Sequence, residues 1–499
     1  MTDVLLTHSY HLPYDRKQLR KMQPYPPLGT LYAASVLREQ GFTVGLFDTM
    51  LQAPEEGFAE ALKRHQPTIA AVYEDNFNFL SKMCLTRMRE LAFDMLEKAH
   101  HAGAVAIAHG SDASDHTREY LERGFDYVLM GEAEWTLERL TSSLIQKRDV
   151  REIPGIAYLN PNGEVVRTPT VTPNMDLALP KPARDLINVD SYRTAWREAH
   201  GFFSLNLIAG RGCPFRCNWC AKPIYGDSFH ANSPDAVAEE MRELKERYEA
   251  EHLWFADDIF GLNRHWALQL ADEVEKRQCP VPFKIQARAD LLTAETVRAL
   301  RRAGCTEVWM GAESGSQKIL DAMEKGLQVE EIVAARDNLK REGVRACYFL
   351  QLGYPGERWE DILQTVRLVR ETRPDDIGVS VSYPLPNTRF YQRVQRDLGR
   401  KRNWRDSEDL SVIFKGAYTD QFYRAVRDAL HHEVDSWNRA SVEPQKESLS
   451  LWAEVNRLEP SSRNPDATIL REESNERFHA MAVEDFVSLK ELQLRAGEV

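Results

Sequence analysis

The chain has 499 residues, enough for two or three domains, and a formal net charge of −12. That acidity argues against nucleic acid or an anionic membrane as default partner and points to a small-molecule or protein substrate. No apolar run approaches the ~18 residues that span a bilayer, the start Met1-Thr-Asp-Val lacks the features of a signal peptide, and seven cysteines, odd in number and clustered, suit a reducing compartment; the expected location is cytoplasmic.

Across residues 1–147, short apolar or β-branched runs such as Val4-Leu-Leu-Thr alternate with helical ones such as Leu28–Glu39. Three helices run into a glycine followed at once by a strand, at Gly41, Gly103 and Gly124. Glycine takes the left-handed position that closes a helix, so each junction feeds a helix into a strand. The pattern predicts a doubly wound, flavodoxin-like parallel sheet of five strands. Ligands are then expected beyond the carboxyl ends of the strands, on loops 9–27, 73–78, 109–115 and 130–134. His109, Asp112 and His116 read equally well as ligand contacts or as a polar surface loop.

Residues 148–200 are rich in Pro, Asn and Asp and carry one hairpin pattern, 155–159 turning at Asn160-Pro-Asn-Gly163 into 164–167. They read as a wrapped interdomain connection. From 201 the alternation resumes, with strands near 203–209, 252–256, 282–287, 306–311, 345–352 and 377–383. The helix that starts with Ser233 as N-cap and Pro234 at its first position has the apolar stripe Val237, Met241, Leu244 and Tyr248. Six such βα units make an open barrel, whose chemistry belongs at the carboxyl ends of its strands.

Behind the first of these strands stands Gly210-Arg-Gly-Cys213-Pro-Phe-Arg-Cys217-Asn-Trp-Cys220. Three thiolates on one short loop can hold an iron–sulfur cluster, and three ligands leave one iron of a four-iron cluster open to a substrate group. A structural zinc site with His230 as fourth ligand, in a non-catalytic protein, remains the competing reading. A buried structural role fits least, because Arg216 and Asn218 make the window polar.

The C-x3-C-x2-C triplet with an aromatic residue before its last cysteine resembles the radical S-adenosylmethionine (SAM) superfamily. The resemblance implies a 4Fe-4S cluster on Cys213, Cys217 and Cys220, SAM chelated at the open iron, an electron donor of flavodoxin or ferredoxin type, and release of a 5′-deoxyadenosyl radical. Trp219 would lie beside the adenine. The later strand ends, Phe255-Ala-Asp257-Asp258, Gln286-Ala-Arg288-Ala-Asp290, Gly311-Ala-Glu313-Ser314-Gly315-Ser316 and Gln351-Leu-Gly353-Tyr-Pro-Gly-Glu357, follow in the order of that family's barrel over 201–390. Asp257 is then expected to accept from the SAM ammonium, Arg288 to pair with cofactor or substrate charge, Glu313 to take the ribose hydroxyls and Gly353 to admit the adenine. Asp258 and Asp290 read equally well as helix caps, and residues 314–316 as the start of the next helix.

In the first domain, Pro27-Leu28-Gly29-Thr30 together with Tyr127-Val-Leu-Met-Gly131-Glu132-Ala-Glu134 resembles the cobalamin-binding domain that precedes the barrel in one class of radical SAM enzymes. Leu28, Gly29, Thr30, Gly110, Gly131 and Glu132 are the contacts this implies. The chain departs from the D-x-H-x-x-G motif, since Asp48-Thr-Met-Leu-Gln-Ala has no histidine. Cobalamin would therefore be held without an imidazole below it; the alternative is a domain that keeps the fold and has lost the ligand. The stretch 179–186 is similar to the entry segment of the same class. Residues 419–437 form an amphipathic helix on Phe422, Val426, Leu430, Val434 and Trp437, similar to the tail of anaerobic magnesium-protoporphyrin monomethyl ester cyclases, with His431 and His432 expected at the surface; 440–499 read as partly helical or disordered.

The expected layout is a cobalamin-binding-like domain (1–147), a connection (148–200), an open (βα)6 radical SAM barrel (201–390) and a mainly helical extension (391–499). The expected activity is radical methylation of an unactivated carbon of a small molecule, with oxidative cyclisation or rearrangement without methyl transfer as the second reading.

Overall fold

The buried run Val4–Thr7 (β1) lies inside the first sheet of the computed structural model, which describes residues 2–169, 179–437 and 443–467. Beside it lie β2 (Val44–Phe47), β3 (Ile69–Tyr73), β4 (Val105–His109) and β5 (Tyr127–Leu129), all parallel, in the order β2-β1-β3-β4-β5. Gly41, Gly103 and Gly124 all have positive φ where their helices end, the conformation that the glycine-to-strand junctions require.

The sheet is larger than the sequence suggests. The hairpin β6 (Ile156–Leu159) and β7 (Val165–Arg167) adds to it antiparallel, with Val128 opposite Ala157, giving seven strands. What reads as part of a connection is thus sheet, because β5 would otherwise leave an unpaired edge.

The second sheet has six parallel strands in the order β15-β14-β13-β12-β11-β8. They are β8 (Ser204–Leu207), β11 (His252–Phe255), β12 (Phe283–Ala287), β13 (Cys305–Glu313), β14 (Arg345–Leu352) and β15 (Asp376–Val381). Alternate residues, such as Leu205, Leu253, Ile285, Val308 and Leu350, are buried in a core shared with the covering helices. In the helix Pro234–Glu246, the Ser233 side chain accepts from Ala236 N–H, the cap expected from sequence. A two-stranded ribbon, β9 (Gly210–Gly212) with β10 (Phe229–Ala231), follows β8.

Loop 9–27 also departs from expectation. Its last part packs on β8 instead of framing a ligand loop: Tyr25 Oη lies 3.1 Å from Ser204 Oγ, Trp196 Nε1 donates to Pro24 O (2.7 Å) and Asn206 Nδ2 donates to Pro26 O (2.8 Å). The extension stitches the two domains together, with Thr86 N–H donating to Trp404 O (2.9 Å) and Ser407 Oγ to Asp15 Oδ1 (2.7 Å). The helix Asp420–Ser436 buries Phe422, Val426, Leu430 and Val434 and packs on β15 and the helix Glu443–Ser462. On it His431 and His432 are half-buried, not at the surface, and His432 Nε2 reaches Glu447 (3.1 Å) across the helix pair. Expectations for 468–499 lie outside the described residues. Among the described residues no helix is long and apolar enough to cross a membrane.

Candidate active site between the two sheets

The cysteine loop is bracketed by the β9–β10 ribbon, and two glycines make the ribbon possible. A Cβ on Gly210 would lie 2.7 Å from His230 O, and one on Gly212, where φ is +79°, would lie 2.3 Å from Ser228 O. Lys222 fastens the loop from within, its Nζ donating to Cys213 O (2.9 Å) and to Phe215 O. Cys213, Cys217 and Cys220 are half-buried, free thiols. Burial pushes the Cys220 thiol up to about 12, with Cys217 and Cys213 adding to the effect. The Arg288 guanidinium stacks on Phe215 at 3.8 Å, and its Nη1 stands 3.9 Å from Cys217 Sγ. His230 lies opposite Arg211 in the ribbon. Among the described residues no three His, Cys, Asp or Glu side chains converge on one point as the ligands of a single ion do. A four-iron cluster takes each cysteine on a separate iron, a more open arrangement than a mononuclear zinc site.

The barrel's strand ends meet over this loop. At the end of β13 a bulge between Gly311 and Glu313 puts Glu313 at φ +59°, a conformation non-glycine residues rarely adopt. The turn directs Glu313 Oε1 to Lys325 Nζ at 2.7 Å, both side chains only 7% exposed. Arg288 Nη1 donates to Lys325 O (2.9 Å) and Nη2 to Gly326 O (3.1 Å), while Lys325 Nζ lies 5.9 Å from the centre of the Trp219 ring. Burial works against the Lys325 charge, but Glu313 and Cys217 outweigh it and raise its pKa. Sequence reasoning missed Lys325, which in Glu324-Lys325-Gly326 looks like any surface lysine.

Other predicted positions serve differently. Both Asp257 oxygens are taken by backbone, accepting from Ala209 N–H (2.9 Å) and Gly210 N–H (2.6 Å), which leaves Asp257 fixing the start of the cysteine ribbon instead of facing an ammonium. Gly353 has φ +77°, and the space its missing Cβ leaves is met by the Tyr423 ring at 3.1 Å, not by an opening for adenine. Trp219 packs on the cluster of Ile319, Met323, Tyr354 and Phe390, with its buried Nε1 lacking a partner among the described residues. Asp258 pairs with Lys82 of the first domain, and Asp290 with Arg288 (3.1 Å), in place of helix caps. Ser314, Gly315 and Ser316 lead into the helix Gln317–Ala322 and dock on Thr365 and Asp361.

The carboxyl edge of the first sheet faces these groups. Arg211 Nε and Glu132 Oε1 are 3.0 Å apart, with side chains 4% and 8% exposed, and Asn387 Nδ2 donates to Asp115 Oδ1 (2.8 Å). Leu28 is fully buried against Ile208, Ile224 and Tyr225, which makes it interface core and not a ligand contact. Gly29 N–H donates to Asp75 Oδ1 (2.9 Å) and Thr30 Oγ1 to Tyr73 O (2.7 Å), docking the helix Leu28–Glu39 onto the loop after β3. Gly110 (φ +139°) makes room for the Glu74 side chain, and Gly131 (φ +72°) turns its carbonyl to His109 Nε2 at 3.0 Å. His109 stacks on Tyr73 (4.0 Å), and burial lowers its pKa to about 4, so it is neutral. Asp112 is held well below the usual carboxylate range: burial acts against this, but the two-point pair with Arg89 (2.6 and 2.7 Å) and the contact with His116 prevail. This loop is a buried network, not a polar surface.

Among the described residues several polar atoms along this edge are buried without a partner: Asn76 Oδ1, Ser81 Oγ and Ser111 Oγ, with Tyr225 Oη across the domain boundary. Buried polar groups are ordinarily hydrogen-bonded, so such a group of them marks a place built to meet a polar ligand.

Residues 207–369 match the Radical SAM superfamily. The chain carries a radical SAM domain. A relative in Pyrococcus horikoshii, described as an uncharacterized methyltransferase, is 25% identical over 82% of this chain and 90% of its own length. The anaerobic magnesium-protoporphyrin IX monomethyl ester cyclase of Rubrivivax gelatinosus is 27% identical over 58% of this chain and 52% of its own length. The fold extends beyond the radical SAM domain to the first sheet. The radical SAM methyltransferase TsrM of Kitasatospora setae, solved with cobalamin and a 4Fe-4S cluster bound, superposes with a TM-score of 0.67 at 18% identity, over 80% of this chain and 79% of its own.

Proposed function

We propose that this radical SAM enzyme holds a 4Fe-4S cluster on Cys213, Cys217 and Cys220, SAM over the strand ends of the barrel and cobalamin on the carboxyl edge of the first sheet, and that it methylates an unactivated carbon of a small-molecule substrate. One observation carries the reading: the carboxyl edges of the two sheets face each other, joined by the buried Glu132–Arg211 pair, with unpartnered polar atoms lining the first. The donor sets fit the groups. Three neighbouring thiols beside the Arg288 guanidinium suit an anionic cluster. The unpaired amide and hydroxyl atoms suit cobalamin's amide-bearing rim.

When bound, the cluster and SAM supply the 5′-deoxyadenosyl radical and cobalamin supplies the methyl group. The chain's own residues arrange the meeting. Arg288 offsets negative charge beside Cys217, Lys222 holds the cysteine loop closed, and Glu313, turned by its bulge and steadied by Lys325, offers a carboxylate for ribose hydroxyls. Lys325 Nζ stands 5.9 Å from the centre of the Trp219 ring, which puts Trp219 beside the Glu313–Lys325 pair and supports it as the adenine neighbour. The seven free thiols fit a reducing cytoplasm, where a flavodoxin- or ferredoxin-type protein would donate electrons.

The likeness to the Rubrivivax gelatinosus cyclase supports a second reading, radical oxidation or cyclisation without methyl transfer. Anaerobic reconstitution followed by incubation with SAM and a reductant tests both. Formation of 5′-deoxyadenosine is expected, and it should vanish together with bound iron in the triple Cys213→Ala, Cys217→Ala, Cys220→Ala variant. S-adenosylhomocysteine formed alongside it favours methyl transfer, and its absence during turnover favours the second reading. Stoichiometric zinc and no iron in the reconstituted protein would refute both.

A further inference from the structure

In a doubly wound sheet the ligand crevice opens where neighbouring loops leave in opposite directions, which in the order β2-β1-β3-β4-β5 is between β1 and β3. Glu74, the first residue after β3, lies across that crevice. On one side its carboxylate accepts from Ser9 N–H, just past β1, at 3.0 and 3.3 Å. On the other its Cγ and Cβ stand 2.7 and 2.8 Å from where a Cβ on Gly110, just past β4, would be. The side chain thus floors the crevice across three adjacent strands, and Asn76 Oδ1 and Ser111 Oγ on the flanking loops are buried without partners among the described residues.

Each histidine of this edge holds at least one ring nitrogen in a hydrogen bond within the protein. His8 Nε2 is on Asp48 (3.0 Å), His11 Nδ1 on Thr49 O (2.8 Å), His109 between Gly131 O (3.0 Å) and Asn76 (3.4 Å), and His116 Nδ1 beside Arg89 (3.0 Å) and Asp112 O (3.1 Å). Resting on the cobalamin reading above, the geometry points to Glu74 as the side chain beneath the cobalt, bounding the lower axial position in place of an imidazole. Its oxygens stay with Ser9 N–H, so it closes that face to solvent without coordinating the metal.

The test is electron paramagnetic resonance of the Co(II) form in the full chain, reconstituted with cobalamin in wild type, Glu74→Gln, Glu74→Ala and Glu74→His. Nitrogen-15 labelling of the protein separates a side-chain nitrogen from the benzimidazole of the cofactor. Wild type and Glu74→Gln are expected to show no splitting from protein nitrogen and no broadening in oxygen-17 water. Glu74→Ala should gain the water broadening, and Glu74→His should gain the nitrogen splitting. Wild-type spectra in both Glu74→Ala and Glu74→His with cobalamin retained, or protein-nitrogen splitting in wild type, would overturn the assignment. If Glu74→His fails to take up cobalamin, Glu74→Ala alone decides. Wild type that retains no cobalamin would instead sink the underlying reading, and this inference with it.

Discussion

Arg211, two residues ahead of Cys213, and Glu132, in the loop after β5, form a buried ion pair at 3.0 Å between the cysteine ribbon and the first domain. It crosses the boundary between the two domains, and Glu134 beside it adds a second buried acid. Removing one member of a buried pair strands the other's charge, which costs far more than removing both.

Glu132→Met is therefore expected to lower stability by about 3–5 kcal/mol, and Arg211→Met to do likewise. The double variant Glu132→Met with Arg211→Met should recover most of that loss. Chemical denaturation of the four proteins checks it, and additive losses would show that the two residues act independently.

Glu313 and Asp257 should separate in a SAM-binding assay. Glu313→Gln loses a charge-assisted hydrogen bond, worth about 1.5–3 kcal/mol, so affinity should fall about ten-fold or more. Asp257→Asn gives up one backbone acceptor in the cysteine ribbon, which should cost about 1 kcal/mol of stability and leave SAM affinity unchanged. Anaerobic calorimetric titration and denaturation read the two effects.

Glu357 makes stability depend on pH. Its Oε2 accepts from Gly353 N–H (2.6 Å), its Oε1 has no partner among the described residues, and burial pushes its pKa up to about 8. The folded chain thus keeps a proton that the unfolded chain releases near pH 4.3. This contribution is fully present below that pH and is lost as pH rises through about 8. Glu357→Gln, which cannot titrate, should gain on wild type by up to about 1.4 kcal/mol per pH unit between pH 5 and 8. Parallel stability curves for the two proteins would disprove it.

Gly353→Ala should destabilise the chain without touching SAM affinity. Its positive φ costs an L residue about 1–2 kcal/mol, and the new methyl meets Tyr423 at 3.1 Å. A loss of about 1–3 kcal/mol in denaturation with unaltered SAM binding is the expected pattern; weakened SAM binding would restore Gly353 to the adenine.

The sequence by itself determined the two sheets, because strand alternation, helix-closing glycines and the Ser233 cap are local signals carried by neighbouring residues. It also determined the cysteine loop, since three cysteines within an eight-residue window need no distant partner to be recognised. Tertiary structure alone decided the rest. Residues 1–2 apart in a strand-end motif look alike in sequence, yet Asp257 turns inward to Ala209 and Gly210 while Asp258 reaches Lys82, 176 residues away. Lys325 gains its place only when Glu313 turns on its bulge, and the Gly353 space belongs to Tyr423 only because the helix Asp420–Ser436 packs on β15. The hairpin 156–167 and the loop 9–27 follow the same rule: each is recruited by an unpaired edge or an apolar face that another part of the chain leaves open, and spacing along the chain carries no record of that vacancy.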